Sequence, residues 1–261
     1  MAATVLDQYA LTTLAIANSH LGLTGDGGAV DTYIETLING ASDIIERALH
    51  RELEVRLHVK ERHDGKGQEQ LYFKQYPVLA VNLDNLAWAA AGKTLTRNDG
   101  GSFVKDGFAD GNKVLVQNSG YNSGLLTINA AVTALVITFA DVIVDDAVDN
   151  NLIISRFREL WINDSLIDGD DYEVCEDHIY YRSGFPKDHG NIRMTYYAGY
   201  ATIPGSIVDK CLELIKMAYD KSKDVKSEKL GPYSVTFFES KAEIMEKIRN
   251  DLSTYINVVV G

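Results

Sequence analysis

"GNIRMTYYAGYATIPGSIVDKCLELIKMAYDKSK", running from Gly190 to Lys223, changes its apolar period halfway along. Ile192, Met194 and Tyr196 fall at every second position, as on one face of a β-strand. Further on, Ile207, Cys211, Leu214, Ile215 and Ala218 keep the spacing of an amphipathic helix. The join between them is "YYAGYATIP", Tyr196 to Pro204. Gly199 is expected to supply a backbone bend that side chains resist. Pro204 suits the first turn of a helix, although Ser206 with Asp209 offers a rival start. Tyr197, Gly199, Tyr200 and Pro204 are therefore expected to form a strand-to-helix hinge, with the tyrosines packing it.

Upstream, "YALTTLAIANSHLGL" carries Leu11, Leu14, Ala15, Ala17 and Leu21 at helical spacing and breaks at "TGDGG". From Asp31, read as an N-cap, the set Ile34, Leu37, Ile38, Ala41, Ile44, Ile45, Ala48 and Leu49 predicts a strong helix. A last helix is expected from about Glu239 to Ile256 on Ile244, Ile248, Leu252 and Tyr255. Strands lie between these helical ends. "LEVRLHVKER" alternates, which predicts Leu53, Val55, Leu57 and Val59 on an inward face. "EQLYF" reads as a second strand, "YPVLAVNLDNLAWA" as a third extended stretch, and "AAGKTLT" as a hairpin tip. "DYEVCEDHIYYRSGF" looks like another hairpin, whereas "LIISRFRELWINDSL" fits strand or helix.

Between residues 98 and 150 the composition shifts to Gly, Asn, Asp and Ser, with short strands at "KVLVQN", "LLTINAAV" and "ALVITFADVIV". This predicts a small all-β module inserted into a parent domain made of residues 1–97 and 151–261. The expected class is α+β, a helical bundle packed on a small mixed β region, with an inserted all-β module.

The chain has 37 acidic and 25 basic residues, a formal net charge of −12. Residues 98–150 hold seven acidic against two basic side chains, while residues 204–261 are balanced at nine each. Such a surface repels phosphate backbones, so a basic grip on nucleic acid is excluded while passage of DNA is tolerated. No apolar run reaches the roughly 18 residues of a membrane span, and the start lacks a basic n-region. Cys175 and Cys211 lack metal-ligand spacing and read as reduced, buried thiols of a protein made in a cytoplasm.

Chemistry-bearing motifs are sparse. "DGDDYE", Asp168 to Glu173, has its glycine in the wrong register for a calcium loop and reads as a solvated turn, as does "DVIVDDAVDN". The histidines at 20, 50, 58, 63, 178 and 189 form no HExxH, and "TGDGGAV" lacks phosphate-loop spacing. No catalytic residue, cofactor or metal is expected. The aromatics, among them Tyr72, Phe73, Tyr76, Trp88, Trp161, Tyr172, Tyr180, Tyr181 and Phe237, read as sheet faces packed on the long helices. A stacking platform for single-stranded nucleic acid would want basic neighbours.

The order Gly190 to Lys223, a strand ending in Tyr-x-Ala-Gly-Tyr and passing through Thr-x-Pro into a helix, resembles head–tail connector (adaptor) proteins of long-tailed bacteriophages. "DDYEVCEDHIYYRSGFP" and the helix Asp31–Leu49 running into "HRELEVRLHVKER" and "LYFKQYPVLAV" are similar to that family too. The stretch from "FADGNKVLVQ" to "DVIVDDA" is similar to a β module recurrent in phage structural proteins. The resemblance implies a virion protein of the neck, made in the host cytoplasm and not an enzyme. It implies a homo-oligomeric ring, usually of twelve subunits, that binds the portal protein and a downstream neck or tail-completion protein. DNA would pass through the channel without specific binding, and no membrane is involved. The apolar tail, Tyr255, Ile256, Asn257, Val258, Val259 and Val260, is the expected portal contact, and "SEKLGPYSVTFFES" is a second interface candidate. Two competing readings are a carbohydrate or surface binding protein built on the β module, and a hydrolase using converging carboxylates.

Overall fold

In the computed structural model of the chain, the structure describes residues 6–25, 27–149, 151–223 and 241–256. The chain divides into two compact units, one from Met1–Glu54 with Ile203–Gly261, the other from Val55–Thr202. The class is α+β, as the two periodicities predict.

The first unit is helical: α1 (Leu14–Leu21), α2 (Ala29–Leu49), α3 (Gly205–Lys223) and α4 (Lys241–Asp251). The Thr13 hydroxyl caps α1 by accepting from the Ile16 amide, and Gly22 in the left-handed region ends it. In α2, Ile34, Ile38, Ala41, Ile45, Ala48 and Leu49 are buried, the face its periodicity predicts. Asp31 is not its N-cap. It sits in the first turn, largely buried, and accepts from Asn18 Nδ2 at 2.8 Å and the Gly27 amide at 2.6 Å. Ile207, Cys211, Leu212, Leu214 and Ile215 form the buried face of α3. Burial pushes the Cys211 thiol up to about 11, so it stays protonated and inert. Lys210, also buried, ties α3 to α4 through Asp251 at 2.6 Å and reaches Glu213 at 2.8 Å. Past Asp251 the chain tightens into a short 3₁₀ turn, Ser253–Tyr255.

Among the described residues the second unit holds fifteen strands: β1 (Arg56–Gly65), β2 (Gln70–Tyr72), β3 (Ala80–Leu83), β4 (Leu86–Ala89), β5 (Thr94–Arg97), β6 (Lys113–Gln117), β7 (Gly124–Thr127), β8 (Val136–Thr138), β9 (Asp146–Asp149), β10 (Leu152–Ser155), β11 (Phe157–Ile162), β12 (Ser165–Leu166), β13 (Glu173–Val174), β14 (His178–Tyr180) and β15 (Asp188–Ala198). Four antiparallel sheets result, ordered β1-β15-β11-β12, β3-β10-β6-β7, β13-β14-β2 and β8-β5-β4-β9. The ambiguous stretch before residue 166 is therefore strand. Asn163 and Asp164 both take positive φ, the two-residue turn that joins β11 to β12 in register.

One core lies on the inner face of β15, where Ile192, Met194 and Tyr196 are fully buried with Phe73, Phe157, Leu160, Tyr172 and Phe185. Those aromatics pack on one another within the β unit. A second core gathers Leu83, Trp88, Leu95, Phe103, Val114, Ile137, Phe139 and Ile154. The expected insertion bounds, 98 and 150, run through its sheet, because β8 and β9 pair with β5 and β4, which precede residue 98. The expected third stretch is two strands broken at Asp84–Asn85, with Asn85 at φ 58°. The same two chain segments pair twice, β3 with β10 in one sheet from Ala80 opposite Ser155 and β4 with β9 in the other to Trp88 opposite Asp146, with Asn85 and Asn151 at positive φ between the two pairings.

β1 departs from its alternation. Leu57 and Val59 are exposed, at 40% and 63%, while His58, Glu61 and His63 turn inward. Register places Leu57 opposite Tyr197 and His58 opposite Tyr196, and a bulge inserts one residue between His58 and Glu61, with Lys60 at φ 51°. Glu61 and His63 bond each other, and His58 stacks on the Tyr196 ring, as described below.

Arg97 pins the loop that follows β5. It is 4% exposed, chelates Asp99 through Nε and Nη2 at 2.7 Å each, bonds Asp106 and lies 5.0 Å over the Phe103 ring. Its bonds lower the Asp99 carboxyl to about 2. Arg97→Ala leaves two carboxylates without their cation, and its cost should be about 2–4 kcal/mol. Chemical denaturation checks this, and a loss below about 0.5 kcal/mol, the size of an ordinary surface substitution, would refute it.

Candidate functional site

The strand end after β15 is built from backbone demands. Gly199 takes φ 123°, a region L side chains rarely enter, and its amide donates to Pro77 carbonyl at 2.9 Å. Val78 bridges Ala198, so the exit from β15 is held on both sides. Tyr196 and Tyr197 point to opposite faces, as neighbours on a strand must. The Tyr197 ring meets two guanidiniums, Arg156 at 4.4 Å and Arg158 at 4.8 Å, and its hydroxyl accepts from Arg158 Nη2 at 2.9 Å. Pro204 belongs to the helical unit, immediately before α3, where its carbonyl accepts from the Ile207 and Val208 amides.

Tyr197, Gly199 and Tyr200 line one cavity of about 260 Å³ together with Pro77, Val78 and Arg156. Its remaining wall includes Leu79, Ala80 and two carboxylates, Glu176 and Asp106. Asp106 is engaged by Arg97, whereas Arg156 makes no ion pair among the described residues. The Arg156 Nε is buried and has no hydrogen-bond partner. Burial, and then the neighbouring Arg158, hold the Arg156 guanidinium below its usual range. The sequence reading passed over Arg156 and Arg158. In "SRFREL" Arg156 occupies the bend between β10 and β11 and Arg158 the register shift after Phe157, so strand alternation alone did not reveal the pair.

On the inner face, Tyr196 organises a buried network. Its hydroxyl donates to Glu61 Oε1 at 2.9 Å, which also meets His63 Nε2 at 2.6 Å, and His58 stacks on its ring at 5.1 Å. Burial alone would raise the Glu61 carboxyl; the bonds from His63 and Tyr196 and the charge of Lys74 outweigh it, and the net shift is downward.

Of the expected portal contact, Tyr255 is half-buried, its carbonyl accepting from Arg51 Nη1 at 3.3 Å and its hydroxyl from Ser206 at 3.1 Å. Ile256 is half-buried beside it. Asn257, Val258, Val259 and Val260 lie outside the described residues, as does the segment 227–240. Asp168 caps a 3₁₀ turn, Gly169–Asp171, by accepting from Asp170. Among the described residues no group of three His, Cys, Asp or Glu side chains could hold a metal ion, and no helix is long and apolar enough to cross a membrane.

No protein-family profile matches the chain, and no curated protein matches it. A chain in a solved structure described as the neck of an empty GTA particle computed with C6 symmetry shares 14% identity, at a TM-score of 0.37. The alignment covers 96% of this chain and 93% of that one. A TM-score this low does not establish a shared fold.

Glu61 ionises at lower pH in the folded chain than at its ordinary value of 4.5. Its contribution to stability is therefore complete above that ordinary value and disappears as pH falls through the lower folded one. Wild type should lose more stability than Glu61→Gln between about pH 6 and about pH 3. Equal losses in urea titrations at the two pH values would show that the network carries no such linkage.

Proposed function

We propose that this chain is a structural head–tail connector (adaptor) of a phage neck, acting without catalysis. Copies form a ring, of twelve subunits by resemblance, that joins the portal protein to downstream neck or tail-completion proteins and extends the DNA channel. The observation that carries this reading is the strand end Tyr196–Tyr200. A left-handed glycine closes β15 there, and α3 starts directly after Pro204. That order of strand, glycine, proline and amphipathic helix is the one through which the sequence resembles connectors. Tyr197, Gly199, Tyr200 and Pro204 then serve as the hinge at which strand passes to helix.

Two further features support it. A chain of net charge −12 lets DNA slide past without holding it. The second β core, bounded by Leu79 and Arg156, has its own hydrophobic interior and serves as the inserted module. Such a protein is made in the host cytoplasm and resides in the virion neck.

Native mass spectrometry and negative-stain imaging of the chain with and without its portal protein test the reading. A closed ring, or assembly triggered by portal, is the expected result. A strict monomer that never joins portal, even at high concentration, overturns it. For the tail, from Tyr255 through Val260, a chain ending at Ile256 should still self-assemble and lose portal binding. Unchanged portal binding by that truncation refutes the tail assignment and leaves the connector reading standing.

A further inference from the structure

Two features at opposite ends of the paired segments β3–β4 and β9–β10 lack partners. Arg156 directly follows Ser155, which pairs with Ala80 at one end. Asp145 directly precedes Asp146, which pairs with Trp88 at the other. The first end carries the apolar cavity with the unpaired Arg156 guanidinium on the Tyr197 ring. A half-buried guanidinium that lies against an aromatic face and makes no ion pair among the described residues can receive a carboxylate on the outer edge of its planar fork.

The other end is its chemical complement. Val142 is 88% exposed, and Tyr121 and Val144 are exposed at 72% and 48%. Asn122 links them, donating to Val144 carbonyl at 3.0 Å and accepting from the Val144 amide at 2.7 Å. Asp141 and Asp145 flank the valines, and each spends one carboxylate oxygen on a backbone amide, of Thr127 and Ala90 respectively. Among the described residues the second oxygen of each takes no hydrogen bond. An exposed apolar tip rimmed by carboxylates is unusual on a protein without a partner. Within one copy none of the tip residues Tyr121, Asp141, Val142, Val144 and Asp145 lines that cavity.

We propose that copies of this chain associate head to tail, the Tyr121/Val142/Val144 tip of one copy seated in the Arg156–Tyr197 cavity of the next. Asp145 or Asp141 of the incoming tip pairs with Arg156. This rests on the ring reading above and names its contact: unlike patches that meet in sequence close into rings when the rotation permits. Lys105 and Arg156 face Glu176 and Asp106 in the same wall, so the cavity is charge-mixed; one carboxylate meets less repulsion there than a run of phosphates, and the chain is acidic overall.

Charge reversal tests the contact. Arg156→Glu and Asp145→Lys, each shown folded by circular dichroism, should weaken self-association roughly tenfold or more in analytical ultracentrifugation. The double variant should recover a substantial part of the loss, which a merely structural role for either residue would not produce. If wild type assembles and folded Arg156→Glu assembles equally well, this contact is wrong and the ring reading survives. If Arg156→Glu keeps the ring and loses portal instead, the cavity belongs to a different partner and the proposal falls. If wild type never assembles, with or without portal, both readings fall together.

Discussion

Tyr196 is the residue on which the β unit turns. Fully buried on the central strand of its sheet, it stacks with His58 on one neighbouring strand and Phe157 on the other, and packs 4.7 Å from Phe73. A buried tyrosine must also satisfy its hydroxyl, and Glu61 does so from β1. That one requirement explains why β1 turns its polar residues inward. It also sends Tyr197 to the outer face, where Arg156 and Arg158 close on it. Core and candidate site are thus two sides of one strand.

How much of this was legible in the sequence depends on the kind of signal. Ile192, Met194 and Tyr196 on β15 and the apolar stripes of α2 and α3 could be read directly, because burial on one face and a fixed period leave no second solution. Alternation in β1 showed that the strand has two faces but not which one is inside. Leu57 and Val59 ended outside because the partner strand, not the residue's own polarity, set the choice. The α2 start moved two residues ahead of Asp31, whose carboxylate serves Gly27 and Asn18 instead of capping. Arg156 was invisible for a different reason: an arginine in the bend between two strands becomes informative only when it is seen to make no ion pair with the carboxylates near it.

Electrostatics divide the β unit sharply. Arg97 has two carboxylates and a ring, and its charge is neutralised inside one copy. Arg156 has a ring and another cation. In a chain with twelve more acidic than basic side chains, a half-buried cation without an ion pair is not for want of acids. Of the acids in its own cavity wall, Asp106 is taken by Arg97 and Glu176 makes no ion pair with it, while Asp141 and Asp145 stand beside exposed valines. The separation is between locations, not in the total.

Gly107 carries a last consequence. It has φ 85°, and a Cβ placed there would sit 2.2 Å from the Ala201 Cβ. The loop that Arg97 anchors therefore touches the residue just beyond the Tyr-Ala-Gly-Tyr strand end. Residues 98 and 150 thus fall inside a continuous set of contacts in the β unit. Cutting there strands β4 and β5 without their partners and opens the seat of the strand exit. At that one point of contact there is room for nothing larger than a hydrogen, so the loop and the strand exit are fitted to each other within a single unit.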